Sequence, residues 1–199
     1  MALHVQKVNK EEIIKYAANL LEKRLENNID IIGEYVKNNA DNIVAKLYDD
    51  VDRLYKQGID MQRNSNKNDI AYISIFLMRH YYYTRNYPIH IYLYDSTRYL
   101  DKNECMIEIN LDFIMDYYNG DLEYIERELK KKYIRIDQDI LQEIQKRYLG
   151  EYYRLIVNFF VESKDIFLMV SSIDDLKITD DMKITIGEYL DEGTVIGGL

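Results

Sequence analysis

Residues 70–94 narrow the choice of fold more than any other stretch: residues 70–83 and 87–94 are rich in β-branched and aromatic side chains, and aliphatic ones fall at every second position from Ala71 to Leu77 and from Ile89 to Leu93, with aromatic or polar ones between. A period of two in segments rich in Ile, Phe and Tyr marks half-buried strands. Thr84-Arg85-Asn86 between them makes a three-residue hairpin loop, with Asn86 suited to the left-handed position. That loop predicts Tyr83 opposite Tyr87, His80 opposite His90 and Leu77 opposite Leu93. A slip of one residue would exchange the two faces of the ribbon. The odd-length loop gathers Ala71, Ile73, Ile75, Leu77, Ile89, Ile91 and Leu93 on one face, and Tyr72, Ser74, Phe76, Met78, His80, His90, Tyr92 and Tyr94 on the other. Residues 105–109 add a third strand, with Ile107 and Ile109 on the aliphatic face and Met106 and Glu108 on the aromatic one.

On either side of this ribbon the period becomes helical. Asn9 fits an N-cap, and Glu11 and Glu12 occupy the first turn, where the helix dipole favours negative charge. Ile13, Ile14, Ala17, Leu20, Leu21 and Leu25 follow at three- and four-residue spacing, so residues 10–26 read as an amphipathic helix. Ile29, Ile32, Tyr35 and Val36 either continue it past Asn27 and Asn28 or form a second short helix. Residues 41–57 make the next one, with Gly58 as its C-terminal stop. The polar, aperiodic residues 62–69 read as a surface loop and the best internal boundary. Residues 111–118 return to helix and end at Asn119-Gly120, while Leu122, Ile125 and Leu129 mark another short helix. Asp137 caps the longest one, about 39 Å of rod to residue 162, expected to cross the aliphatic face of the sheet. Residues 166–170 read as a buried strand. Residues 183–186 alternate, and residues 194–196 pair back onto them through a turn at 191–193.

Charge and cysteine usage close off several functions. The 199 residues carry 26 basic and 35 acidic side chains, a net charge of −9. Nucleic-acid binding draws most of its affinity from Lys and Arg on phosphates, so no nucleic acid is expected as a partner. The one basic cluster, Arg127, Lys130, Lys131, Lys132 and Arg135, is interspersed with Glu123, Glu126, Glu128 and Asp137 and reads as a solvated face. No apolar run approaches the roughly 18 residues of a membrane helix, and the first residues lack the apolar core of a signal peptide. No membrane partner is expected, and the expected location is the cytoplasm. The single cysteine, Cys105, leaves no intrachain disulfide and no multi-cysteine metal site. Its place on the aliphatic face makes it a core residue rather than a thiol nucleophile.

Catalytic signatures are missing: the sequence holds no Gly-rich phosphate loop, dinucleotide glycine pattern, paired-His zinc helix, serine nucleophile elbow or calcium loop. No cofactor, metal or catalytic residue is therefore assigned. The carboxylates Asp49, Asp50 and Asp52, and Asp121, Glu123 and Glu126, read as solvated helix faces. His80 opposite His90 is the most specific chemical feature, since cross-strand imidazoles are close enough to share one anionic ligand or ion. Tyr92, Tyr94, Arg98 and Glu108 are its companions on the same sheet surface. A metal would want a third ligand, and only Glu108 offers one. The plainer reading is two half-buried histidines packed with tyrosines beneath the N-terminal helices. Tyrosine, with 20 copies beside no tryptophan, supplies most of the aromatic content. Neighbours in the clusters at 81–83, 117–118 and 152–153 point in different directions, so each cluster leaves a ring for an interface. Tyr82, Tyr118 and Tyr152 are the candidates.

These readings predict one α+β domain over residues 1–199, with an N-terminal helical segment at 1–60 and a sheet-plus-helix body at 70–199. Its antiparallel sheet of four to six strands packs against amphipathic helices. The expected function is a non-enzymatic cytoplasmic interaction or regulatory module, whose partner is another protein or itself as a homo-oligomer. The alternative is a small-ligand-binding protein or small enzyme using the His/Tyr sheet face.

Overall fold

In the computed structural model, which describes residues 9–78, 86–189 and 193–199, the cap at Asn9 is formed: its side-chain oxygen accepts the Glu11 N–H at 3.0 Å. Helix α1 (Lys10–Asn38) runs unbroken past Asn27 and Asn28. Asn28 is turned inward as a side-chain donor, so it does not compete for its own backbone. Helix α2 (Ala40–Arg63) continues through Gly58, which was expected to stop it. A methyl group at Gly58 would lie 2.8 Å from Leu93 and 3.1 Å from Leu176, so glycine is there for close packing.

The sheet holds β1 (Ile70–Leu77), β2 (Ile89–Tyr94), β3 (Met106–Ile109), β4 (Ile178–Glu188) and β5 (Thr194–Gly198), in the order β3-β2-β1-β4-β5. With helices packed beside it, the molecule is α+β as the alternation required. Every neighbouring pair is antiparallel except β1 and β4, which are parallel. A parallel pair needs a long crossover, and the helices between β3 and β4 supply it. These are α3 (Asp112–Lys132), α4 (Gln138–Ser163) and the short α5 (Ile166–Met169).

Two further expectations are corrected here. Residues 166–169 are a helical turn and not a strand: Phe167 N–H donates to the Lys164 carbonyl and Met169 N–H to that of Asp165. A run of five apolar residues is too short for periodicity to separate the two forms. Asn119-Gly120 does not end a helix either, because Ile114, Tyr118, Leu122, Ile125 and Leu129 keep one buried stripe in phase across it.

The β1–β2 ladder pairs Leu77 with Ile89, Phe76 with His90 and Ile73 with Leu93. This is four residues from the predicted register, in which Leu93 faced Leu77. An even shift preserves parity, so each face keeps the residues predicted for it. Alternation decides which side a residue takes but repeats every two positions, and so leaves the slide along the strand undetermined. His90 accordingly stands opposite Phe76 rather than His80. His80, Tyr82, Tyr83 and the predicted loop residues Thr84 and Arg85 lie outside the described residues. On β3 (Met106–Ile109) the predicted faces hold, since Glu108 pairs with His90 and Ile107 with Ile91.

The aliphatic face is the core. Ile73, Ile75, Ile91 and Leu93 are buried there, joined by Ile184 and Ile186 of β4. Each such side chain, removed from water, contributes roughly 1.5–3 kcal/mol. Helix α2 closes this face through Gly58, and buried Cys105 points its thiol at the Leu54 carbonyl. Burial pushes that thiol up to about 11. The stretch at 62–69 is not simply a surface loop. Gln62 is buried in α2 and bonds to the backbone of Lys177 and Asn68, and Lys67 is buried as well.

Two compact units are distinguishable: Val36–Leu111 with Leu155–Leu199, which contains the sheet, and residues 9–35 with 112–154, which are helical. Among the described residues, no helix is long and apolar enough to cross a membrane.

Candidate functional site

The aromatic sheet face brings together most of the residues proposed for it. Tyr92 and Tyr94, two apart on β2, stack with centroids 5.2 Å apart and planes within 2°. Phe76 of β1 packs at 5.7 Å from Tyr92, and Tyr99 and Tyr189 close around it at 5.9 and 5.5 Å. Phe76, Tyr92 and Tyr94 are all buried. Burial, reinforced by the neighbouring hydroxyls of Tyr92, Tyr189 and Tyr99, pushes the Tyr94 phenol well above its ordinary value. At one margin His90 Nε2 lies 3.6 Å from Glu108 Oε2. At another, the Arg98 guanidinium sits 4.7 Å above the Tyr72 ring and 5.5 Å from that of Tyr99. Arg98 has φ of +55°, a left-handed backbone that a residue with a Cβ adopts at a cost.

The loop carrying Arg98 is fixed by buried charge. Lys67 donates to Asp101 Oδ2 at 2.5 Å and to the Asn103 carbonyl at 2.6 Å, with both ion-pair side chains withdrawn from solvent. Asp95 accepts the Thr97 N–H at 2.8 Å and the Asn68 amide at 2.8 Å. Burial of Asp95 opposes ionisation, yet the donors from Thr97 and Asn68 together with the Lys67 charge hold its carboxyl below the usual range. The face is thus a second small core, with its rings occupying one another's surfaces. Among the described residues, no three His, Cys, Asp or Glu side chains gather as metal ligands would.

The helical unit holds a site that the sequence reading missed. Asp121, taken for part of a solvated face, is fully buried on α3. Arg24 Nε donates to its Oδ1 at 2.5 Å, while Asn28 Nδ2 and the Tyr152 hydroxyl donate to Oδ2, both at 2.9 Å. The Tyr148 hydroxyl donates to the same oxygen. Burial, with the Asp121 bond next, drives the Tyr148 phenol far above its usual value. Tyr118 stacks on Tyr148 at 5.9 Å and donates to the Gln145 carbonyl at 3.0 Å. Tyr118 and Tyr152 are therefore buried in this cluster, and the expectation that they present rings to a partner is corrected. The available signal was phase: Asp121 lies in register with the apolar stripe of α3, between Tyr118 and Ile125.

This clamp ties α1, α3 and α4 together, and beside it α1 and α4 leave an open groove of about 470 Å³. Ile14, Ala18, Leu21 and Leu25 wall one side, and Ile144 and Tyr148 the other. Of the charged groups at its rim, Arg147 pairs with Glu143 at 2.7 Å and Glu151 with Arg154 at 2.8 Å. Tyr148 belongs to both features, its ring in the groove and its hydroxyl on Asp121. Compared with protein-family models, curated proteins and solved structures, the chain finds no match.

Proposed function

We propose that this protein is a cytoplasmic, non-enzymatic interaction module that associates with itself. The observation carrying the reading is the α1–α4 groove, a mainly apolar concavity left open between helices whose spacing is set by a buried carboxylate. Apolar surface held in a rigid concave form favours association, because little ordering entropy remains to be lost when it is covered. Its nearest polar chemistry is already committed: Asp121 accepts from four side chains, and each phenol on it is pushed away from ionisation. A site arranged in this way supports packing better than proton transfer. A ligand site on the aromatic sheet face has less support, since Phe76, Tyr92 and Tyr94 fill the space that a ligand would need.

Light scattering on the purified full chain tests the reading. At concentrations up to about 0.5 mM, a weak interface should show a mass rising from one 23.9 kDa chain toward two. A constant single-chain mass over that range removes self-association from the proposal.

A further inference from the structure

Of the asparagines in the chain, Asn119 is the one followed by glycine. Such a pair is reactive toward its own backbone: with no side chain on the second residue, its amide nitrogen reaches the preceding side-chain amide carbon unobstructed. We infer that Asn119-Gly120 is a self-modification site that α3 and its Asp121 clamp hold closed, so that the chain is marked for good only when this helix opens.

The step needs water and nothing else. The Gly120 nitrogen bonds to Asn119 Cγ, the bond from Cγ to the side-chain nitrogen breaks, and ammonia leaves with the proton that Gly120 gave up. Water then opens the cyclic imide at Cγ to give aspartate, or at the backbone carbonyl to give isoaspartate, in which the main chain runs through the side chain.

The folded helix blocks this twice. Inside α3 the Gly120 N–H is committed to the carbonyl four residues earlier, that of Asp116. Attack also draws negative charge onto Asn119 Oδ1, an atom shielded from solvent that accepts no hydrogen bond among the described residues, so nothing stabilises charge there. Gly120 itself is exposed, and nothing lies within 4 Å of where its side chain would begin. No packing therefore replaces the two guards once this turn unwinds.

The position makes the product consequential. Asn119 lies between Tyr118, which donates to the Gln145 carbonyl, and Asp121. Isoaspartate adds a carbon to the main chain there, so Ile114 and Tyr118 lose their phase with Asp121, Leu122 and Ile125. Either product also sets a carboxylate three residues after Asp116 and four before Glu123, spacings at which like charges repel on a helix.

The full chain is incubated at mildly alkaline pH, and mass spectrometry of the peptide around residue 119 reads the conversion of amide to acid. In buffer it should run at least about a hundredfold slower than in guanidinium chloride, because it waits on local opening. Asp121→Asn weakens the clamp without touching the reacting atoms and should raise the rate in buffer about tenfold. Gly120→Ala keeps the helix and should slow conversion in the denaturant about tenfold, since its methyl obstructs the attacking nitrogen. Converted chain returned to buffer should lack part of the parental helix signal in circular dichroism. Equal rates in buffer and denaturant would overturn the guarding role of α3, and a rate in buffer indifferent to Asp121→Asn would overturn control by the clamp. Converted chain that regains the parental spectrum would overturn the lasting mark.

Discussion

Asp121 shows how much one side chain can settle. A carboxylate with no exposure is tolerable only when donors replace its hydration, and here Arg24, Asn28, Tyr148 and Tyr152 do so from two other helices. Asp121→Ala strands four donors at once, one of them charged, and should cost about 3–5 kcal/mol in urea unfolding. Asp121→Asn keeps the shape but turns an amide toward donors, and should fall between the two. An alanine variant with the parental midpoint would show that the clamp contributes nothing. None of this was legible locally, because the donors lie 27 to 97 residues away in sequence. Next to Glu123 and Glu126, Asp121 looked like one more solvated acid. Cys105 was legible for the opposite reason, since its neighbours in the strand fixed its side of the sheet.

At the scale of elements, two glycines read alike in sequence and differ in the fold. Gly58 and Gly120 were both taken as helix ends, and both lie inside helices. Gly58 faces the ends of buried Leu93 and Leu176 at distances where a methyl would force them to shift, whereas Gly120 has nothing within 4 Å of where a methyl would sit. Alanine improves helix propensity by about 1 kcal/mol at either position. At Gly58 this gain is outweighed by overpacking of about 1–3 kcal/mol. Gly120→Ala should therefore raise the thermal midpoint by about 2–4 °C, and Gly58→Ala should lower it. A rise for both would mean that Leu93 and Leu176 can move aside. The ribbon teaches a related lesson. Alternation in residues 70–77 and 89–94 was enough to sort Ile73, Ile75, Ile91 and Leu93 from Phe76, Tyr92 and Tyr94. The slide of four residues was not readable, because every even offset presents the same faces.

For the whole molecule, the α+β class followed from the switch between helical and strand periods, but the grouping of elements did not. The unit built around Asp121 joins residues 9–35 to 112–154, and the whole sheet-bearing segment 36–111 intervenes in sequence. Composition does not change at the joins, so nothing local announces them. Of the two N-terminal helices, the α1 residues Ile13, Ala17 and Leu21 group with α3 and the first part of α4, while α2 groups with the sheet. A chain beginning at residue 36 would keep Tyr148 and Tyr152 on Asp121 but lose Arg24 and Asn28, leaving a buried acid without the guanidinium that pairs with it. Hydrogen exchange on that shortened chain should show lost protection through residues 112–154 and retained protection in β1, β2 and β4, whose partners are all present. Retained protection at 112–154 would mean that α3 and α4 hold together without α1, and that the carboxylate needs no guanidinium to remain inside.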